Sequence, residues 1–396
     1  MHYEMSKIQL CDKYRCTQCM ACVNACPKHC ITMVDAGEGF DVPKINDGAC
    51  IECGACTKVC HGISPIGEYY TPLKTLACWT KNDEDRKRSS SGGAFSVLAR
   101  RVLSDNGMVF GATMDANLQV KHICIDNAED IVKLQGSKYV QSFMGDTYKQ
   151  VRDLLRQERL VLFTGTPCQV GGLLAFLRKK YNNLITCDMV CHGVPSQKAF
   201  DVFCERTHLK DRCQGVSFRF TAGWGFQLAC ELVAPTQAGD SDSTHVVRKV
   251  VNPRNAWYMR AFNKGLMFNE TCFSCAYTIP QRVSDFTMAD YWGLGAKIPF
   301  NHPTHRGVSM LLINNQKAME IINNCPDLFF EERTLEEAIE GNHNLSHNSE
   351  RPIGRDTFIH DMQTMEINAL IRKYGIKESL RDYLRLLKQW INSKRV

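Results

Sequence analysis

CTQCMACVNACP, residues 16–27, spaces four cysteines as Cys-x2-Cys-x2-Cys-x3-Cys: Cys16, Cys19, Cys22 and Cys26, followed by Pro27. CIECGACTKVCH, residues 50–61, repeats the spacing with Cys50, Cys53, Cys56 and Cys60, and puts His61 where the first run has its proline. Three thiolates this close together can wrap one 4Fe–4S cube, and the fourth ligand then comes from the other run. Zinc sites more often use two Cys-x-x-Cys pairs than two matched four-cysteine runs.

The pattern is that of bacterial two-cluster ferredoxins. It assigns Cys16, Cys19, Cys22 and Cys60 to one cluster, and Cys50, Cys53, Cys56 and Cys26 to the other. The position of His61 turns the chain and is not a ligand, so the cluster is expected to survive the change. Cys11 and Cys30 fall outside the pattern and are not expected to be ligands. A ferredoxin alone would stop near residue 70, so the rest of the chain is expected to receive or supply electrons.

That rest is long. The chain has 396 residues, 44% hydrophobic and 23% charged, enough for two or three domains with a sizeable core. A net charge of +6 is too mild to imply nucleic acid. MHYEMSKIQLCDKYRC has no apolar core of a secretory signal, and no run of about 18 apolar residues predicts a spanning helix. The 21 cysteines in a chain without an export signal point to a reducing cytoplasm, where clustered cysteines bind metal or react.

Beyond the cysteine runs, TKNDEDRKRSSSGG (80–93) reads as an exposed loop and AFSVLARRVLSDNG as a helix stopped by Gly107. MVFGATMD, LVLFTG (160–165) and LITCDMVCHG read as strands, with VGGLLAFLRKKY as a helix between the last two. This order predicts an α/β unit with parallel strands. Residues 213–260 read as β, and the chain from about 356 as helical. There Leu380, Tyr383, Leu384, Leu387 and Ile391 share one face, expected to pack on the chain itself, with docking to a partner or membrane surface as the other reading.

Several short stretches carry chemistry. SSSGG (89–93) before a helix is either an ordinary N-cap or, with Ser91, Gly92 and Gly93 exposing backbone amides, a phosphate cradle. GSKYVQS (136–142) gathers Lys138, Tyr139, Gln141 and Ser142, which suit a flavin or a plain exposed turn. No GxGxxG follows the first strand, so a Rossmann site is not supported. TGTPCQ places Cys168 just past one strand, and CHGVPS places Cys191 at the end of the next. Ends of adjacent parallel strands meet at one sheet edge. With Cys272 and Cys275 of TCFSCAYT, they make four thiols, enough for zinc or a third 4Fe–4S cluster. Cys187 competes with Cys191, and Cys168 alone could be a nucleophile. Asp285, Asp290 and His192 are each either structural or a proton donor.

RSSSGG, GSKYVQS, TGTPCQ, VCHGVPS, FRF, CFSC and SDFTMADYWG, in this order, resemble the beta-subunit family of coenzyme F-420-reducing hydrogenase and formate dehydrogenase. The resemblance runs from about residue 75 to 330. It implies FAD near Ser91, Gly92, Gly93, Lys138, Tyr139, Gln141 and Ser142, and a third cluster on Cys168, Cys191, Cys272 and Cys275. It implies an oxidoreductase that joins 4Fe–4S clusters to a two-electron carrier.

The expected architecture is α+β or α/β. A two-cluster ferredoxin domain occupies 1–70, a flavin-binding N-terminal part of the body 75–157, its α/β C-terminal part 158–345, and a helical extension 346–396. The expected function is an iron–sulfur flavoprotein acting on a small organic substrate, with a redox partner protein or ferredoxin-type donor and no nucleic acid. The alternatives are an electron-transfer subunit with no substrate of its own and a zinc-stabilised interaction protein.

Overall fold

The two cysteine runs bend in the same way. Gln18 and Met20 take φ 56° and 60°, and their counterparts Glu52 and Gly54 take 53° and 67°. Left-handed turns cost a non-glycine residue about 1–2 kcal/mol each, so their recurrence in Gln18, Met20 and Glu52 marks a constraint that both runs share. A short helix follows each turn, Ala21–Ala25 and Ala55–Lys58. Strands β1 (Ile31–Asp35) and β2 (Asp41–Ile45) form an antiparallel hairpin between the runs, Ile31 facing Ile45. These features come from a computed structural model, which describes residues 8–64, 68–219, 227–233, 246–380 and 382–384.

The body is built on an eight-stranded sheet. Its strands are β3 (Lys74–Thr80), β4 (Met108–Met114), β5 (Val120–Ile125), β6 (Val161–Thr164) and β7 (Leu184–Met189). A smaller three-stranded sheet takes β8 (Gly215–Ser217), β9 (Ala229–Val233) and β10 (Val246–Val250). The large sheet is completed by β11 (Phe286–Asp290), β12 (Ser309–Ile313) and β13 (Leu328–Arg333), in the order β13-β3-β12-β11-β7-β6-β4-β5. The middle strands β11, β7, β6 and β4 run parallel, and β5, β12, β3 and β13 pair antiparallel outside them. The parallel unit read from the sequence is therefore the centre of a mixed sheet. All four residues of β6 are buried, as expected of a parallel strand covered on both faces.

Helix Ala94–Ser104 covers one face with Val97, Leu98 and Val102 against Leu162, Ile185 and Phe286. Helix Pro167–Leu177 covers the other with Val170, Leu173 and Phe176 against Phe163 and Leu184. Thr166 and Gln169 start that helix with a reciprocal capping box, and Pro167 occupies its first turn. A third core, rich in aromatics, joins helix Gln197–Arg206 (Phe200, Phe203) to Trp257, Tyr258 and the C-terminal helices through Phe358, Met362 and Leu370. Cys213 and Cys230 are joined by a disulfide at the small sheet. Leu380, Tyr383 and Leu384 are exposed, so the packing expected of that face is not found there; Leu387 and Ile391 lie outside the described residues. Among the described residues, no helix is long and apolar enough to cross a membrane.

Candidate functional site

The ferredoxin thiols gather in two sets. Cys16, Cys19, Cys22 and Cys60 line one small cavity, and Cys26, Cys50, Cys53 and Cys56 line another, each of about 20 Å³. Each set takes three cysteines from one run and its last from the other. Among the described residues no three of His, Cys, Asp and Glu group tightly enough for a single ion. The thiols ring a space instead of meeting at a point, and an all-cysteine ring fits an iron–sulfur cube. Cys53 is exposed, whereas Cys16, Cys26 and Cys56 are buried.

A third set forms at the C-terminal edge of the parallel strands. Cys168 sits just after β6 in the first turn of helix Pro167–Leu177, its Sγ 3.1 Å from Thr166 Oγ1. Cys191 lies two residues past β7. Cys272 and Cys275 arrive on and just after the short turn Glu270–Ser274. Asn269 fixes that turn: its side chain caps Thr271 N, and its amide donates to Val194 O at 3.0 Å. Burial lifts the Cys168 thiol well above its usual range, and the neighbouring Cys275, Cys191 and Cys272 lift it further. Burial pushes Cys191 up to about 12, with Cys275 next, and lifts Cys272, with Cys191 next. Four thiols so poorly solvated cannot all be thiolates without a cation among them, the condition a metal centre meets.

Cys187, the competitor, is elsewhere. It is fully buried in β7 among Leu162, Ile185 and Phe286, raised by burial, then by Asp188 and Asp285. The sequence left Cys187 and Cys191 open because they are four apart on one strand; β7 ends at Met189, between them.

The third set abuts the first. Gly172 lies so close to Cys19 that a Cβ there would meet its Cβ and Sγ at 2.9 Å, and Tyr148 Oη at the same distance. Tyr277, two residues past Cys275, holds its hydroxyl 3.0 Å from His61 Nδ1, directly after Cys60. Asn269 Nδ2 donates to Cys16 O at 3.3 Å. Neither Tyr277 nor Tyr148 was singled out from sequence; a lone tyrosine has no motif.

The two stretches proposed for a flavin also meet. Ser137 N donates to Ser90 Oγ at 2.8 Å. Arg219, from the FRF stretch, donates to Tyr139 Oη (3.0 Å), Ser90 O (3.3 Å) and Asp290 Oδ2 (2.7 Å), and lies over Trp292. Several of the proposed residues have structural work. Ser91 donates to Val308 O, and Gly92 packs against Cys78 O and Ser309 N where no Cβ fits. Gly93 opens helix Ala94–Ser104 with φ 85°. Lys138 donates to Gln135 O, and burial presses its pKa down to about 7, Glu231 opposing. Ser142 donates to His122 Nδ1 and accepts from Gln169 Nε2. Two buried atoms here find no hydrogen-bond partner among the described residues: Gln141 Nε2 and Asp290 Oδ1. Unmet groups of this kind beside Tyr139 fit a polar cofactor ring.

Asp285 and Asp290 part company. Asp285 accepts from Thr186 N and Oγ1 and from Asn315, at the opposite end of β11, and is structural. Asp290 stands at the site edge. His192 packs edge-on to Phe262 and Phe268, and burial lowers its pKa.

Comparison with known proteins gives the family. Residues 75–147 match the model of the coenzyme F420 hydrogenase/dehydrogenase beta subunit N-term, residues 158–337 that of its C terminus, and residues 15–62 a 4Fe-4S dicluster domain. The coenzyme F420-dependent sulfite reductase of Methanocaldococcus jannaschii is 26% identical over 182 residues, 43% of this chain. The chain spans about a quarter of that relative's length. A chain of the F420-reducing [NiFe] hydrogenase complex from Methanosarcina barkeri is 15% identical at TM-score 0.45, covering 77% of this chain and 92% of its own, a likeness too slight to argue from. The two beta-subunit matches together span more than half of the sequence, and the chain belongs to the coenzyme F420 hydrogenase/dehydrogenase beta-subunit family, with a 4Fe–4S dicluster domain ahead of it.

Proposed function

We propose that the chain is an iron–sulfur flavoprotein that moves electrons between three 4Fe–4S clusters and FAD, and so reduces or oxidises a small organic molecule. The clusters would be held by Cys16, Cys19, Cys22 and Cys60; by Cys26, Cys50, Cys53 and Cys56; and by Cys168, Cys191, Cys272 and Cys275. FAD would rest against Ser91, Gly92, Gly93, Lys138, Tyr139, Gln141 and Ser142, with Arg219 and Asp290 beside it. Clusters carry single electrons and a flavin carries one or two, which lets one protein join both kinds of chemistry.

The observation that carries this reading is that the elements bearing the third thiol set pack against those bearing the first, Gly172 of the Cys168 helix on Cys19 and Tyr277, two residues past Cys275, on His61. A zinc-stabilised interaction protein gives no reason for a cysteine set in the body to abut a ferredoxin-type set. The protein's own part is to fix distances and hydrogen bonds around the sulfurs, which set potentials. Arg219 holds Tyr139 and Asp290 in place at the flavin loop.

A second reading, a module serving a larger enzyme with no substrate of its own, is favoured by the sulfite reductase match, in which the shared 182 residues are one part of a longer chain. Iron, zinc and flavin content of anaerobically prepared protein tests the proposal. About 12 iron atoms, four per cluster, with one FAD and no zinc is the expected result. About eight iron atoms would remove the third cluster, and no flavin would remove the enzyme reading. Turnover with a soluble deazaflavin such as coenzyme F420, without any partner protein, separates the enzyme from the module.

A further inference from the structure

Each ferredoxin cavity is lined by five cysteines, not four. Cys11 joins Cys16, Cys19, Cys22 and Cys60 in one, and Cys30 joins Cys26, Cys50, Cys53 and Cys56 in the other. The extra thiol meets the same two kinds of partner both times: the first cysteine of the loop, Cys50 for Cys30 and Cys16 for Cys11, and the cysteine that crosses over from the other run, Cys26 or Cys60. Cys30 Sγ lies 3.4 Å from Cys26 Sγ. Cys11 lies beside Cys16 and Cys60 in the same cavity.

The internal repeat does not explain this. The counterpart of Cys30 in the second run is Ser64, and the counterpart of Cys11 is Ile45. The two extra thiols therefore reach equivalent places from different directions along the chain. Both are held there. Cys30 is buried, and its carbonyl accepts from Asn46 N at 2.8 Å. Cys11 packs on Gly62, where a Cβ would meet Arg15 O at 2.8 Å and Cys11 Sγ at 3.4 Å.

The crossover cysteine is the ligand most in need of a substitute. The other three of each set are fixed by one short loop, whereas the fourth depends on how the two runs pack. We propose that Cys30 and Cys11 are reserve ligands, each able to replace the crossover cysteine of its site, Cys26 or Cys60. The exchange is balanced. An iron–sulfur bond forms to Cys30 as the bond to Cys26 breaks, and the Cys30 thiol proton passes to the freed Cys26 sulfur 3.4 Å away, with no net oxidation and no proton released. The Cys11–Cys60 exchange has the same form.

This inference rests on the ligand assignment proposed above, and the test separates the two. Iron content and low-temperature EPR of the reduced full chain are measured for wild type, Cys26→Ala, Cys30→Ala and Cys26→Ala/Cys30→Ala, and for the matching Cys60 and Cys11 variants. Each single variant is expected to keep wild-type iron. Each double variant is expected to lose about four iron atoms while the remaining EPR signals and far-UV circular dichroism persist. If Cys26→Ala and Cys60→Ala alone lose as much iron as the double variants, the reserve role is overturned and the ligand assignment stands. If the double variants keep wild-type iron, both fail. A double variant that does not fold at one site leaves the other site to decide.

Discussion

The hydroxyl of Tyr277 and Nδ1 of His61 are 3.0 Å apart, and that one contact spans from the residue after Cys60 to the neighbourhood of Cys275. The other nitrogen of His61 lies 3.2 Å from Thr17 Oγ1, next to Cys16. The ring that replaces a proline thus sits between two thiol sets with both nitrogens engaged. Tyr277→Phe is expected to lose about 1 kcal/mol of stability and to slow flavin reduction by dithionite, with iron content unchanged. An unaltered urea midpoint and an unaltered stopped-flow rate would deny the contact any role.

Gly172→Ala tests the junction from the other side. In most helices alanine for glycine gains up to about 1 kcal/mol. Here the new methyl would meet Cys19 and Tyr148 at 2.9 Å, and overpacking costs about 1–3 kcal/mol. The expected outcome is a lower melting temperature and iron missing from the first set. A stabilised variant with full iron would contradict the packing described.

Arg219 and Asp290 form an ion pair at 2.7 Å, with side chains 4% and 11% exposed. Arg219→Met leaves a buried carboxylate unpaired, a loss of about 3–5 kcal/mol, and removes the anchor of Tyr139. Adding Asp290→Asn is expected to recover much of the stability and none of the flavin. Flavin absorbance and a urea titration of the two variants read these effects separately.

Cys191→Ala is expected to remove about four iron atoms, whereas Cys187→Ala is expected to keep them all. Cys187 is packed in the apolar core, so its loss acts on stability alone, by about 1 kcal/mol. Equal iron in both variants would move the ligand.

His122 provides the pH prediction. Its Nε2 meets Thr164 O at 2.9 Å, and only a protonated nitrogen can donate to a carbonyl, so Nδ1 accepts from Ser142. Burial pushes its pKa down to about 4 from 6.5. A depressed pKa means that the unfolded chain binds the proton more readily. The stabilisation is complete above pH 6.5 and is lost as pH falls towards 4, by at most about 3 kcal/mol. In His122→Gln, stability measured across that window is expected to change less with pH than in wild type.

The ferredoxin part was legible because its chemistry is local: ligand spacing is written in the sequence, and the structure gathers each set as the spacing required. The body was legible where strands end in cysteine, since parallel neighbours bring Cys168 and Cys191 to one edge. Arg219 was hidden because an arginine in a strand-like stretch shows no partner until β8 and β11 bring it to Asp290. Ser91, Gly92 and Gly93 suggested a phosphate cradle, but a glycine excluded by a neighbouring carbonyl gives the same sequence signal as one excluded by a ligand. The antiparallel edge formed by β3 and β13 depends on pairings between segments far apart, which no local pattern records, whereas β5 at the other edge is the hairpin partner of β4.

The register of β3 has a consequence for how the chain is made. β3 comes directly after the cysteine runs, yet among the described strands it pairs with β12 and β13, more than two hundred residues later. As the chain emerges, β3 has neither partner until residues 309–333 follow. Contacts of such long range form late. The first two thiol sets are complete by residue 60, whereas the third needs Cys275. Synthesis therefore delivers every thiol of the first two sets before the body that completes the third.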